Sequence, residues 1–140
     1  MKGRFFLDTN TFVYSFDLRA VSKMRQARDL ILEGIATRQG VVSYQVVQEF
    51  FNLALRKFEQ PMTVAEAEQY LTTVFRPMLS VHSSPRLIVE ALRLKERHRL
   101  AWYDSLILAA ALESRCTILY SEDFQHEQRF GDLRIKNPFS

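Results

Sequence analysis

Acidic residues with a possible chemical use stand at four separated points along the chain, and the first of them is Asp8. It follows Phe5-Phe6-Leu7, an apolar run typical of a short buried strand. In an open parallel sheet the carboxyl ends of the strands border the crevice where ligands bind, so Asp8 stands where catalysis is usually carried out. Taken alone, however, an Asp before a helix is more often a helix cap.

The other acids are Glu49, Asp104 and Asp123. Asp123 comes shortly after a second strand-like run, so we expect it at the same sheet edge as Asp8. Asp104 begins an almost wholly apolar helix, and Glu49 lies at the border of an apolar helical stripe. A buried acid is costly unless it is paired, hydrogen-bonded or bound to a cation, and neither helix offers a suitably placed basic residue. We therefore infer that the four carboxylates meet and share metal ions.

The elements that must position these acids alternate along the chain. The patterns predict strands at Phe5–Leu7, Val41–Ser43, Met78–Val81, Thr117–Tyr120 and Leu133–Ile135. They predict helices over residues 22–37 with Gly40 as the stop signal, 44–58 ended by Pro61, 63–75 with a capping box at its start, 85–99 opened by Ser84-Pro85, and 104–113. Such alternation predicts one domain over residues 1–140, a three-layer α/β/α sandwich around a mostly parallel sheet.

Composition fits a soluble globular protein: 47% of the 140 residues are apolar and the net charge is +3. Because Cys116 is the only cysteine, an intrachain disulfide and a cysteine-based zinc site are excluded. The histidines, His82, His98 and His126, are too scattered for a zinc site. The sequence shows no signal peptide and no apolar run of the ~20 residues that a membrane span needs, so we expect a cytoplasmic protein without a membrane partner.

Four short motifs together resemble the PIN domain, and most closely the VapC-type ribonuclease toxins of bacterial toxin-antitoxin pairs. The motifs are Leu7-Asp8-Thr9-Asn10, Val47-Gln48-Glu49-Phe50, Tyr103-Asp104-Ser105-Leu106-Ile107 with its alanine run, and Ser121-Glu122-Asp123-Phe124. Each motif is weak alone, but all four occur in order on the expected elements. The resemblance covers essentially the whole chain.

The resemblance implies an endoribonuclease that depends on Mg²⁺ or Mn²⁺, forms a homodimer and is bound by an antitoxin. It places the family's acids on Asp8, Glu49, Asp104 and Asp123. The family usually has threonine before its last acid, where this chain has Ser121, which keeps the hydroxyl.

The chemistry of hard cations suggests a role for each residue, since Mg²⁺ takes carboxylate oxygens, waters and substrate phosphate oxygens. We expect Asp8 and Asp104 to be the principal metal ligands and Glu49 a ligand or water-orienting base. Asp123 is expected to be a second ligand or an outer contact. Outer-shell support is expected from Asn10, Ser43 and Ser121. Glu122 could be a further ligand, although a solvated turn residue is the preferred interpretation.

Two further surfaces are ambiguous in the sequence. The basic run from Arg93 to Arg99 could follow an RNA backbone, although a solvated helix face is the preferred interpretation. Phe12, Phe16 and Phe51 could line a groove for an antitoxin peptide, although a place in the core is preferred.

Other functional classes fit the sequence less well. A haloacid-dehalogenase-type phosphatase needs a second Asp two residues after the first, where this chain has Asn10. A phospho-acceptor receiver domain needs a strand-end lysine opposite its acids, and only Lys136 follows the late strands. A catalytically silent PIN-like module that binds RNA or a protein partner stays open as the alternative.

Overall fold

The sheet is built around the first strand of the chain. The computed structural model describes residues 3–140 and contains the strands β1 (Phe5–Leu7), β2 (Gly40–Ser43), β3 (Leu79–Val81), β4 (Ile118–Tyr120), β5 (Arg129–Phe130) and β6 (Leu133–Lys136). Their order across the sheet is β3-β2-β1-β4-β6-β5, and every neighbouring pair is parallel except β5 with β6. The predicted mostly parallel sheet is confirmed.

The helices lie in the three connections that join β1 to β2, β2 to β3 and β3 to β4. They are α1 (Thr9–Tyr14), α2 (Val21–Thr37), α3 (Tyr44–Ala54), α4 (Val64–Tyr70), α5 (Pro85–His98) and α6 (Trp102–Glu113), with a π-helical turn at Leu71–Phe75. They flank the sheet in the predicted three-layer arrangement. No helix in the described range 3–140 is long and apolar enough to cross a membrane.

β1 and α6 are strongly apolar because both are buried in the hydrophobic core. All three residues of β1 are buried, because β2 and β4 cover its edges and helices cover its faces. The α6 residues Ile107 to Ala111 are all at most 3% exposed, as their unbroken apolar run predicts. The two elements that carry Asp8 and Asp104 are therefore among the most firmly packed in the molecule.

α2 ends at Thr37, as predicted, but Gly40 is not the residue that stops it. Arg38 is the C-cap and takes the left-handed conformation, with φ of 60°. Gly40 is instead the first residue of β2, where its lack of a side chain lets the strand pass close to the helix. A Cβ atom on Gly40 would lie 2.6 Å from the Cα of Gly34 and 2.8 Å from the Sδ of Met78.

The boundaries of some other elements differ from the predicted ones. The helix predicted to reach Phe58 ends at Ala54, where the carbonyl of Leu53 accepts hydrogen bonds from the following turn. The helix after Thr63 has its predicted capping box but finishes as the π-helical turn. The last predicted strand is β6, and the sequence analysis missed its antiparallel partner β5, which has only two residues.

The close approach at Gly40 gives a test of the packing. Gly40→Ala should lower the free energy of unfolding by about 1–3 kcal/mol, because the added methyl group meets backbone atoms that cannot turn aside. Urea denaturation measures the change. Gly131→Asn is the control, because Gly131 has open space around it and asparagine tolerates its positive φ. Equal stability of Gly40→Ala and the wild type would contradict the packing.

Candidate active site

Asp8 lies at the carboxyl end of the central strand and is only 5% exposed. One carboxylate oxygen accepts the backbone N–H of Thr9 at 2.7 Å, and the other accepts the hydroxyl of Ser121, also at 2.7 Å. The backbone N–H of Asp8 donates to the carbonyl of Tyr120, which ties the end of β1 to the end of β4. Asp8 is thus the N-cap of α1, as the simpler interpretation holds, and it also faces the site described next.

Glu49 reaches the same region from the middle of α3. Its Oε1 atom accepts the hydroxyl of Thr9 at 2.9 Å and a long contact from the Nε2 of Gln45 at 3.5 Å. The same Gln45 Nε2 donates to the carbonyl of Tyr103 at 3.3 Å, next to Asp104 in the first turn of α6. These contacts hold α1, α3 and α6 against one another beside the carboxylates.

A cavity of about 160 Å³ joins all the candidate acids. Its lining consists of Asp8, Thr9, Asn10, Gln45, Glu49, Leu53, Tyr103, Asp104, Ile107 and Asp123. Among the described residues that line it there is no lysine or arginine, and no ion pair within residues 3–140 reaches one of its acids. The cavity is therefore a concentrated negative site on a chain whose net charge is +3.

Among the acids of the cavity, Asp8 has a strongly raised pKa. Burial raises the pKa of its carboxyl from 3.8 to about 7, although the hydrogen bonds from Ser121 and Thr9 oppose the rise, and the charges of Asp123 and Glu49 add to it. The pKa of Asp104 is also raised, chiefly by burial and then by the same two neighbouring charges. Each shift favours a neutral acid and would be relieved by a nearby cation.

The donor set fits a hard divalent cation but does not enclose one. Carboxylates are the ligands that Mg²⁺ and Mn²⁺ prefer, and Mg²⁺ commonly takes only one or two together with waters. Across the described chain, no three His, Cys, Asp or Glu side chains stand close enough to enclose a metal ion by themselves. The arrangement therefore suits an ion that keeps waters and open positions for a substrate.

The predicted supporting residues fall in different places. Asn10 lines the cavity, and Ser121 is 2% exposed and bonds directly to Asp8. Ser43 is not among the lining residues, and its buried hydroxyl has no hydrogen-bond partner within the described part of the protein. Glu122 does not line the cavity either, in keeping with its interpretation as a turn residue. The roles of these residues stay predictions.

Two polar residues of the cavity, Thr9 and Gln45, were not predicted as site residues from the sequence. Gln45 precedes Glu49 by four residues, which is the spacing of neighbours on one helix face, and that spacing could have revealed it. Thr9 belongs to the first of the four motifs, which assign it no role of its own. Its contact with Glu49 joins residues 40 positions apart, so only the folded chain shows it.

Comparison with known proteins gives a consistent result. The sequence model of the PIN domain matches residues 5–129. A toxin-antitoxin complex from Klebsiella pneumoniae is similar in structure, with a TM-score of 0.68 and 19% identity over 96% of this chain and 97% of that chain. No curated protein matches the sequence.

Two further solved structures share the fold. VapC20 from Mycobacterium tuberculosis, described as a sarcin-ricin loop cleaving toxin, has a TM-score of 0.60 and 20% identity over 85% of this chain and 89% of that chain. VapBC2 from Rickettsia felis, solved bound to a DNA fragment from its promoter, has a TM-score of 0.63 and 16% identity over 94% of this chain and 96% of that chain.

The raised pKa of Asp8 predicts how stability depends on pH. The folded protein keeps a proton on Asp8 up to about pH 7, whereas the unfolded chain loses it near pH 3.8, so the metal-free protein should lose stability as the pH rises between these values. Asp8→Asn keeps a capping side chain and removes the ionisation. At pH 8 it should raise the free energy of unfolding by a few kcal/mol, at about 1.4 kcal/mol per pKa unit.

Urea denaturation in EDTA at pH 5 and pH 8 measures this gain. Asp132→Asn, which changes an exposed acid outside the cavity, is the matched control and should show no such gain. If Asp8→Asn were unfolded, or less stable than the wild type at both pH values, the carboxylate would be a structural cap only.

Proposed function

Since the chain belongs to the PIN domain family, we propose that it is a metal-dependent endoribonuclease of the VapC type, the toxin of a toxin-antitoxin pair. The single observation that carries the proposal is the cavity lined by Asp8, Glu49, Asp104 and Asp123 without a basic partner among its lining residues. A cation-binding role explains why a basic chain concentrates four acids there. Membership of the PIN family, together with the sarcin-ricin loop cleavage described for VapC20 from Mycobacterium tuberculosis, supports RNA as the substrate.

Asp8 and Asp104 would be the principal ligands of the ion, because burial disfavours the charged form of both carboxylates and a cation would favour it. Bound Mg²⁺ or Mn²⁺ would supply a more acidic water and stabilise the charge that grows on the phosphate and on the leaving oxygen. Glu49 would orient the attacking water and accept its proton, and Asp123 would be a second ligand or an outer contact. Ser121 keeps Asp8 in place by its hydrogen bond.

The position of the cavity indicates which RNA structures the protein can cleave. The cavity lies at the carboxyl edge of the sheet, where Asp123 is exposed, so the scissile phosphate must come to the surface. Single-stranded or looped RNA presents its backbone and splays its bases more readily than a duplex does. We therefore propose cleavage in loops or single strands, in the cytoplasm.

Cleavage of structured RNAs by the purified protein tests the mechanism. Cutting should require Mg²⁺ or Mn²⁺ and should stop in excess EDTA. It should fall at least about 100-fold in Asp8→Asn and in Asp104→Asn, because each variant removes a metal-binding carboxylate. At 1.36 kcal/mol for each factor of ten, this loss is about 2.7 kcal/mol of transition-state stabilisation. Glu122→Gln is the control, because this neighbouring acid does not line the cavity. Cleavage that survives EDTA or both Asp variants would refute the mechanism, and intact RNA with the wild type would favour the silent binding module.

The antitoxin partner has a candidate surface in a groove of about 740 Å³ beside the acidic cavity. Leu53 lines both, and the groove also contains Phe16 and the exposed Leu18. The comparison structures from Klebsiella pneumoniae and Rickettsia felis are toxin-antitoxin assemblies, which supports a protein partner. Of the phenylalanines considered for such a groove, only Phe16 lines it; Phe12 is fully buried, and Phe51 is partly buried against the core. The homodimer stays a prediction.

Leu18→Arg should abolish capture of the antitoxin without harming the fold, because Leu18 is 75% exposed and an arginine there disturbs only the groove surface. The measurement is co-purification with the product of a small neighbouring open reading frame after co-expression. Leu32→Arg, which changes another exposed leucine outside the groove, is the control. Undiminished capture by Leu18→Arg would place the partner elsewhere.

A further inference from the structure

Thr9 contacts two of the candidate acids at once. Its backbone N–H donates to Asp8 at 2.7 Å, and its side-chain hydroxyl donates to the Oε1 of Glu49 at 2.9 Å. The residue is 7% exposed and lines the cavity. A single residue therefore links the acid at the end of β1 to the acid on α3.

The side chain of threonine suits it to donate one hydrogen bond in a defined direction, here to Glu49. A β-branched side chain has few χ1 rotamers, and in the one that Thr9 adopts its hydroxyl is directed at Glu49. A hydroxyl has one proton to donate, and here that proton is directed at a carboxylate, which makes the hydrogen bond stronger than a neutral one. Valine has nearly the same shape without this donor, and serine keeps the donor with less stiffness.

The link also determines which oxygen of Glu49 is free. Both hydrogen bonds that the described chain gives to this side chain, from Thr9 and from Gln45, end on Oε1. Oε2 accepts none within residues 3–140. Because Glu49 lines the cavity, Oε2 is the oxygen that remains available to a ligand there.

We propose that Thr9 is a positioning residue, which holds Glu49 by Oε1 so that Oε2 stays available to a divalent cation or its water. This inference rests on the proposed nuclease function and adds a residue to it. Thr9 does not touch the reacting atoms and acts through Glu49. Gln45 assists from the next turn of α3, where its amide also joins the carbonyl of Tyr103 and so restrains α6.

The experiment compares Thr9→Val with Thr9→Ser in the full chain. Calorimetric titration with Mn²⁺ alone, without RNA, should show about 10-fold weaker binding for Thr9→Val, the size typical of lost outer-shell hydrogen bonds, and nearly wild-type binding for Thr9→Ser. Cleavage should follow the same order, with a lower kcat and an unchanged KM for RNA. In a Glu49→Gln background, Thr9→Val should have little further effect on Mn²⁺ binding, because the group it positions is gone.

Thr11→Val is the matched control, since Thr11 is a second buried threonine of α1 but does not line the cavity. It should bind Mn²⁺ like the wild type, and thermal melts in EDTA should show that every variant folds. Wild-type Mn²⁺ affinity in Thr9→Val, or equal losses in Thr9→Val and Thr9→Ser, would overturn the inference.

The two proposals can fail separately. A wild-type protein that binds Mn²⁺ but cuts no RNA would refute the nuclease, and the Mn²⁺ series would still decide the role of Thr9. A wild type that binds and cuts, with Thr9→Val indistinguishable from it, would refute the role of Thr9 alone. A wild type that binds no Mn²⁺ would overturn both.

Discussion

The burial of one carboxylate, that of Asp8, is the constraint on which the rest of the site depends. A charge at the end of a central strand loses most of its hydration, and the protein replaces that hydration with two short hydrogen bonds, from Thr9 and Ser121. These bonds only partly compensate, since the pKa of Asp8 is still raised to about 7. Placing Glu49 and Asp123 nearby adds repulsion. Such an arrangement lowers the stability of the metal-free fold, and it therefore supports the metal-dependent function proposed above.

The sheet order brings the acids together. β1 lies between β2 and β4, so the segments that follow these three strands start from neighbouring points at one edge. β1 runs directly into Asp8, β2 into the helix that carries Glu49, and β4 into Ser121 and Asp123. Asp104 arrives by another route, in the first turn of the buried helix α6. Parallel pairing thus brings Asp8, Glu49 and Asp123 to one edge of the sheet, where α6 adds Asp104.

How far the sequence could predict this structure depended on the range of each interaction. Ser84-Pro85 and the Thr63 capping box are local signals, and the helices begin where they indicate. The end of α2 at Thr37 was predicted correctly, but the role of Gly40 as its stop was wrong, because the constraint on Gly40 is the close approach of Gly34, a tertiary contact. β5 was missed because two residues give no periodicity, and its pairing with β6 is a tertiary contact.

The sequence by itself determined the alternation of strands and helices, the PIN motifs and the acids that they carry, because each of these is written in residue type and short spacing. The tertiary structure decided that the acids share one cavity, that Ser121 bonds to Asp8 whereas Ser43 does not line the cavity, and that Thr9 joins Asp8 to Glu49. Hydrogen bonds between residues 40 or 113 positions apart depend on strand order and packing, and no local pattern encodes them.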